Sequence, residues 1–337
     1  MNGPQAIRPA DRILGVLYDG RDRHVSLDEL AGAAGAGAAA VAAALGGLRG
    51  RGHRLEAMPG RGVRLLCPTV LDAHLIERGL PVAEIGRHVI CFGQVDSTND
   101  VAFASAERAA GRAVVVTAEH QRAGRGRLGR TWRCPAGSGV LASVLLHEAA
   151  AALPAEALTV AAGLAVAEGI ERAAAVETTL AWPNDVLIGP AKVAGVLVEV
   201  RSSGPPAGGG GRVVVGIGIN VNAVPPPGEV SGAATSLARA AGRDVERIEV
   251  CRGVLASLDG WVRALAEGAV ELLHRRWLSR CEMVNRRFRF VAGGRDVAGR
   301  ILDVHPMEGL ILLCDDGQRL HLPAATTTVL KPTETPP

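Results

Sequence analysis

The sequence predicts an α+β chain, on three observations. A short helix-rich opening ends in a hairpin signal, a long middle stretch alternates strand-like and helix-like runs, and the end carries only short strand-like runs broken by Gly and Asp turns. With 337 residues, and about 150 residues per domain, two domains and a small third one are expected. The boundaries fall at residues 5–67, 86–275 and 283–331, with a link around Gly79 to Gly86.

In the opening stretch, Ile13, Leu14, Val16 and Leu17 repeat at helical spacing, and Ser26 followed by Glu29 is a capping box for a second helix that Gly35 closes. A third helix fits Gly37 to Leu48, with Val41, Leu45 and Leu48 as its inward stripe. His53 to Ala57 and Val63 to Leu66 then flank Pro59-Gly60-Arg61-Gly62, a hairpin turn. Three helices and a hairpin make a winged helix-turn-helix, a DNA-binding arrangement. The third helix, however, shows Ala38, Ala39, Ala40, Ala42, Ala43 and Ala44, none of which can read a base edge, while Arg49, Arg51, Arg54, Arg61 and Arg64 face only Glu56. Two readings stay open for residues 26–66: binding of a specific DNA operator, with these arginines on phosphates, and a vestigial or purely structural unit.

In the middle stretch, His88 to Phe92, Ala113 to Ala118, Val140 to Leu146, Lys192 to Val200 and Arg212 to Val221 read as strands, and Ala155 to Ala175 and Ile248 to Ala266 as helices. Interposed helices and paired strands predict a mixed or antiparallel sheet, and no GxGxxG or Walker loop follows the first strand. Ser202 to Gly211 reads as a hairpin loop, and Pro225-Pro226-Pro227 as a stiff turn.

Composition narrows the function. Thirty-seven basic residues against 34 acidic ones give a net charge of +3, too balanced for a surface that binds nucleic acid throughout, and four Phe, four Trp and one Tyr leave little for base stacking. Six widely spaced cysteines without a CxxC pair write neither a zinc site nor a disulfide framework. No signal peptide opens the chain and the Ala/Gly run Ala31 to Leu48 is too weakly hydrophobic to insert, so a soluble cytoplasmic protein with no membrane contact is expected. Only two of the basic residues, Lys192 and Lys331, are lysines, which suggests a point charge in place of a planar fork at Lys192.

The chemistry concentrates at Gln121-Arg-Ala-Gly-Arg-Gly-Arg-Leu-Gly-Arg-Thr-Trp132. Gly124, Gly126 and Gly129 let backbone amides approach an anion, and Arg125, Arg127 and Arg130 supply charge, which suits a polyphosphate. Upstream, Ser97, Thr98 and Asn99 are small polar groups able to hold a compact polar head group. Downstream, Trp182-Pro183-Asn184-Asp185 places a carboxylate able to hold Mg2+ or a nucleophilic amine before Lys192 and Gly195, and Gly216-Ile217-Gly218-Ile219-Asn220 lets a ligand lie close to a strand.

In this order and spacing the residues resemble the biotin protein ligases of the bifunctional type, with an N-terminal winged helix, a central biotin/lipoate ligase-like catalytic domain and a C-terminal SH3-like β-barrel. The resemblance implies that biotin is activated with ATP to biotinyl-5′-adenylate and passed to a lysine of a biotin carboxyl carrier protein. It implies that Ser97, Thr98, Asn99 and Gln121 meet the ureido ring, and that Arg125, Gly126 and Arg127 lie over the biotin tail and phosphate. Lys192, beside Gly195, would contact the acyl phosphate oxygen. Gly124, Gly129, Arg130, Trp132, Asn184, Gly218 and Asn220 would line the nucleotide side, Asp185 would orient Mg2+ or the incoming lysine amine, and Lys331 would face the nucleotide. The catalytic set is therefore Lys192, Arg125, Arg127 and Asp185. Ala181 stands where the family often carries a lysine, so one cation near the phosphates is absent. A homodimer through edge-to-edge pairing of the central sheet is the oligomer to consider. A lipoate ligase and a biotin-sensing DNA-binding regulator are the competing readings.

Overall fold

The computed structural model describes residues 7–202, 211–226 and 232–332, with the side chains of the last two left aside. The expected loop Ser202 to Gly211, the end of the Pro225–Pro227 turn and the side chain of Lys331 fall largely or wholly outside these residues.

The chain opens with α1 (Pro9–Asp19), α2 (Leu27–Ala34) and α3 (Ala38–Gly50), followed by the hairpin of β1 (Leu55–Met58) and β2 (Gly62–Leu65). Ile13, Leu14, Leu17, Leu30, Val41, Leu45 and Leu48 close a small core between the three helices. Ser26 caps α2 by accepting from Glu29 N at 3.1 Å. The capping box is only half made, because the Glu29 carboxylate turns to Arg23 at 2.6 Å instead of to the Ser26 amide. Gly35, at φ +62°, ends α2, and α3 leaves it bent by 92°, so the Ala/Gly run is two short crossed helices. Among the described residues no single helix is long and apolar enough to cross a membrane. Of the five arginines near the hairpin, Arg51 pairs with Asp11 at 2.8 Å, Arg64 with Glu56 at 2.8 Å, and Arg54 donates to the Cys67 carbonyl; Arg49, Arg51, Arg54 and Arg61 are exposed and Arg64 is partly buried.

The stretch between the hairpin and the sheet is tied down. It contains α4 (Ala73–Glu77), whose N-cap Asp72 accepts from His74 N and Leu75 N. The sheet that follows has seven strands: β3 (Val89–Val95), β4 (Val114–Gln121), β5 (Val140–Leu145), β6 (Thr179–Ala181), β7 (Asp185–Ile188), β8 (Ala191–Arg201) and β9 (Arg212–Ile219), in the order β3-β4-β5-β9-β8-β7-β6. Only β3 and β4 run parallel; every other neighbouring pair is antiparallel. The interposed helices are α5 (Thr98–Ala104), α6 (Ala106–Ala109), α7 (Glu148–Ala151) and α8 (Ala155–Ala174). After the sheet come α9 (Leu237–Ala241), α10 (Arg247–Ala266) and α11 (Val270–Leu278).

Strand alternation splits the sheet into two faces. Val115, Ala142, Val144, Val213, Val215, Ile217 and Val196 join the main core with α8 and α10, whereas Val114, Val116, Leu145 and Val214 join a smaller one under Ala102 and Phe103 of α5. The link is fixed to the α10 side. Arg247, 2% exposed, donates to Glu119 at 2.7 Å and to the Thr69 carbonyl at 3.0 Å, and Asp259 accepts three successive amides, from Ala83, Glu84 and Ile85, at 2.8–2.9 Å. Each buried charge is thereby neutralised or fully hydrogen-bonded.

The chain ends in β10 (Arg287–Ala292), β11 (Arg295–His305), β12 (Gly309–Cys314), β13 (Arg319–Leu322) and β14 (Thr327–Pro332), an antiparallel sheet ordered β13-β12-β11-β10-β14 around Phe290, Ile301, Val304, Leu310 and Leu312. The strand β14 is absent from the sequence expectation, since Thr327-Thr328-Val329-Leu330 carries no alternation.

Where α8 crosses α10, Gly169 meets Val254 so closely that a Cβ there would come within 2.5 Å of the Val254 amide nitrogen and 2.6 Å of its Cγ2. Gly169→Val is expected to destabilise the protein by about 1–3 kcal/mol, read as a lower urea midpoint. An unchanged midpoint would show that the crossing can open at no cost.

Candidate active site

The register of four strands builds a trough. Ser143, Gly216 and Leu197 stand in one cross-strand row, and Leu141, Gly218, Gly195 and Asp185 in the next. On β9 the residues between Val215, Ile217 and Ile219 are glycines, so the face away from α8 presents no side chain there. Two side chains from other segments fill the space: a Cβ at Gly216 would lie 2.5 Å from Asn99 Oδ1, and one at Gly218 would lie 2.4 Å from the Trp132 ring. A Cβ at Gly195 would meet both Trp132 and the Lys192 ammonium at 3.1–3.3 Å.

Over the trough lies a cavity of about 1390 Å3, large enough for two small molecules side by side. Ser97, Thr98, Asn99, Gln121, Arg125, Gly126, Arg127, Arg130, Trp132, Asn184, Asp185, Lys192, Gly195, Gly218 and Asn220 all line it. Gly124 and Gly129, expected on the nucleotide side, do not. Gly124 is buried, and a Cβ there would come within 2.5 Å of the Trp132 carbonyl; Gly129 is exposed at φ +74°, where the loop turns. Their role is the shape of the loop.

At the head of the cavity Ser97, Thr98 and Asn99 open α5 and are buried. Gln121 Oε1 accepts from Thr98 N at 2.7 Å and Thr98 Oγ1 at 2.9 Å; Ser143, beneath them, donates to Asn99 Oδ1 at 2.5 Å. The loop from Gln121 to Trp132 folds back as a strap, with Trp132 N donating to Gly124 O and Gly126 N to Arg130 O. Leu128, at φ +54° and 55% exposed, forms its tip.

The strap arginines differ sharply. Arg125 is committed to carboxylates: it bridges Asp100 at 2.6 and 3.0 Å and Glu199 at 3.0 Å, and Arg201 shares Asp100 at 2.5 Å. The Asp100 hydrogen bond raises the Arg125 pKa, and Arg125 in turn holds the Asp100 carboxyl below its usual range. Arg125, expected over the biotin tail and phosphate, lines the cavity with two carboxylates on its guanidinium. Arg127 has only neutral acceptors, Asn184 Oδ1 at 3.4 Å and the Ala324 carbonyl, and among the described residues no ion-pair partner. Burial pulls its pKa down, while Asp185 opposes that. A desolvated cation held by dipoles alone gains strongly when an anion arrives.

Lys192 Nζ sits 2.6 Å from Asp185 Oδ1 and 5.5 Å from the centre of the Trp132 ring. Asp185 is therefore engaged by an ammonium, and no group of three or more His, Cys, Asp or Glu side chains able to hold a metal occurs among the described residues. These side chains alone do not form a cage for a resident Mg2+. Asn220 is buried, donates to the Thr235 carbonyl at 3.2 Å, and has an Oδ1 with no partner; the indole nitrogens of Trp132 and Trp182 are likewise unpaired. Unmatched buried polar atoms along one wall mark where a ligand's own polar atoms belong. The last strands close the far side through Phe288, Thr327 and Thr328, and bring in Arg286 and Arg289.

Sequence reasoning missed Asp100, Ser143, Glu199 and these two arginines. Ser143 was visible as the lone polar residue in Val140–Leu145, whose six residues are all buried, and Glu199 as a charge in the apolar run Val193 to Val200. Arg286 and Arg289 join the cavity only through the packing of β10.

Residues 91–220 match the biotin/lipoate A/B protein ligase family. The bifunctional ligase/repressor BirA of Bacillus subtilis is 37% identical over 211 residues, 62% of this chain and 64% of that protein, so the match spans less than two thirds of that relative. The biotin--[acetyl-CoA-carboxylase] ligase of Mycobacterium tuberculosis is 34% identical over 256 residues, 72% of this chain and 86% of that one; that of Paracoccus denitrificans is 33% identical over 237 residues, 69% and 96%. Among solved structures, a biotin protein ligase from Aquifex aeolicus in complex with biotin and ATP superposes with a TM-score of 0.60 at 27% identity, over 73% of this chain and 99% of that one.

Because the Asp100 pKa is depressed in the folded state, its contribution to stability is present above the unfolded value near 3.8 and is lost as the pH falls through the folded one. Asp100→Asn should therefore flatten the loss of stability below about pH 4, by well under about 1 kcal/mol because the pair is partly exposed. Urea midpoints between pH 3 and 6 measure it; an equally steep acid limb in the variant would contradict the assignment.

Proposed function

This chain belongs to the biotin/lipoate A/B protein ligase family, and from that premise we propose that it activates biotin with ATP and transfers the biotinyl group to a lysine of a biotin carboxyl carrier protein. The observation that carries the reading is the shared cavity: a polar head pocket at Thr98 and Asn99, a half-buried cation without an anionic partner at Arg127, and an ammonium at Lys192 lie along one trough.

The chemistry follows from these charges. The biotin carboxylate attacks the α-phosphorus of ATP, pyrophosphate leaves, and negative charge builds on the phosphate oxygens. Arg127 and Lys192 stand ready for that charge in a site partly removed from water, where preorganised cations act most strongly. Arg125 anchors the base of the strap and keeps Arg127 in reach. Asn220 Oδ1 and the indole of Trp132 serve the adenine side. In the second step the carrier lysine, having lost its ammonium proton to solvent, attacks the acyl carbon as the neutral amine. The C–O bond to phosphate breaks, AMP leaves, and the second proton of the nitrogen is released as the amide forms, with Asp185 orienting the incoming amine once Lys192 has turned to phosphate. Mg2+, if it accompanies the nucleotide, would neutralise charge on the phosphates, and Asp185 is the carboxylate that could orient it. Arg286 and Arg289 add positive charge to the cavity lining, in which Ala181 stands where the family lysine is absent. The N-terminal helices and hairpin form a winged helix, and the last five strands an SH3-like barrel, giving domains at 5–67, 86–275 and 283–331. Arg49, Arg51, Arg54 and Arg61 are exposed and can meet phosphates, whereas the alanine face of the third helix offers nothing to read a base edge, so a repressor role for residues 26–66 is weak or lost in this reading.

Incubation with ATP, Mg2+, biotin and a carrier domain, read by mass spectrometry, should show one biotinyl addition on the carrier. Lys192→Ala should slow adenylate formation by at least about 100-fold with an unchanged thermal midpoint; turnover like that of the unaltered chain would remove Lys192 from the mechanism. Selection of random duplexes by the full chain should enrich no defined palindrome, and recovery of one would restore the repressor reading.

A further inference from the structure

Under the head of the cavity the hydrogen bonds run to a carboxylate that the motif left out. Glu199 lies on β8, on the trough face, with its side chain 26% exposed. Its Oε2 accepts from Asn99 Nδ2 at 2.5 Å and from Arg125 Nη2 at 3.0 Å. The other end of the Asn99 carboxamide, Oδ1, is 2.5 Å from Ser143 Oγ. A carbonyl oxygen only accepts, so Ser143 spends its single proton there. Turned over, the carboxamide would set Oδ1 against the Glu199 carboxylate with no proton between them. The anion thus decides which way Asn99 faces.

The consequence reaches the ligand. Thr98 Oγ1 is 2.7 Å from Ser143 Oγ and 2.9 Å from Gln121 Oε1, and its one proton goes to one of these, so toward the cavity it offers lone pairs. Asn99 keeps one N–H. The pocket therefore has a fixed polarity, accepting at Thr98 and donating at Asn99, which suits the N–H and C=O groups of a cyclic urea. Arg125 does not need Glu199 as its partner, since Asp100 already holds it through two bonds.

We propose that Glu199 is a positioning residue that sets the donor and acceptor pattern of the head-group pocket through Asn99 and Ser143, and so its specificity for a urea ring. This rests on the reading of biotin as substrate. The test is biotin-dependent exchange of labelled pyrophosphate into ATP by the full chain. Biotin is compared with the two cyclic carbamate analogues in which one or the other ureido N–H is replaced by oxygen.

Glu199→Gln should raise the KM for biotin roughly tenfold, change kcat less, and shrink the preference for biotin over the analogues, because Asn99 is then free to turn. Glu199→Asp should regain part of that preference. A loss confined to kcat, or an unchanged preference in Glu199→Gln, would overturn the proposal. Should that variant fail to fold, the paired change Asn99→Asp with Glu199→Gln keeps the hydrogen bond while exchanging anion and amide; it should lose the preference at an unchanged thermal midpoint, and retention would overturn the proposal equally. No biotin-dependent exchange by the unaltered chain would remove the substrate reading together with this one, whereas exchange with an unmoved preference removes this one alone.

Discussion

The site exists because two neighbouring strands carry hydrogen in place of a side chain on one face. Gly195, Gly216 and Gly218 are brought together by the antiparallel register of β5, β9 and β8, and the groove they leave is filled by Asn99 from one direction and Trp132 from the other. The opposite face of the same strands is Val, Ile and Ala packed against α8. One alternation therefore performs two tasks, sealing the core and opening a bed for a ligand. Enlarging any of these glycines displaces the indole or the carboxamide before it disturbs the core.

Charge is arranged on that bed by degree of satisfaction. Arg125 and Arg201 are matched by Asp100 and Glu199, a compact group of four whose charges cancel. Arg127, two residues further along the strap, is left with neutral acceptors, and Lys192 with a single carboxylate. In the proposed reading the cation held by neutral groups lies where the anionic reaction centre would form, while Arg125 on the same strap is neutralised by carboxylates.

Much of this could be read from the residues alone. The five expected strands of the middle stretch and its two long helices appear within a few residues of their places, because their apolar runs are long and their ends are marked by Gly, Pro or charge. Most of the named site residues meet in one cavity, because they lie in short motifs whose spacing already brings them near each other. What stayed hidden depends on register and docking. Ser143 matters because it sits across from Gly216, Glu199 because it reaches Asn99 a hundred residues away, and Arg289 because β10 packs beside the trough. None of these relations has a local signature. The short strands β6, β7 and β14 lack enough residues for a period to show, and the half-made capping box at Ser26 turned on a rival partner, Arg23, that spacing does not weigh.

The tethering of residues 69–85 bears on how the chain divides. Thr69 gives its carbonyl to Arg247, and Ala83, Glu84 and Ile85 give their amides to Asp259, both on the long helix that backs the sheet. A fragment cut at residue 86, where the composition suggests a seam, would strip Asp259 of its three amides and strand that carboxylate in an apolar layer, while Arg247 would lose the Thr69 carbonyl and keep Glu119. A piece bearing the cavity keeps all of these bonds only when it starts ahead of Thr69, so the connector belongs, by its energetics, to the body it leads into.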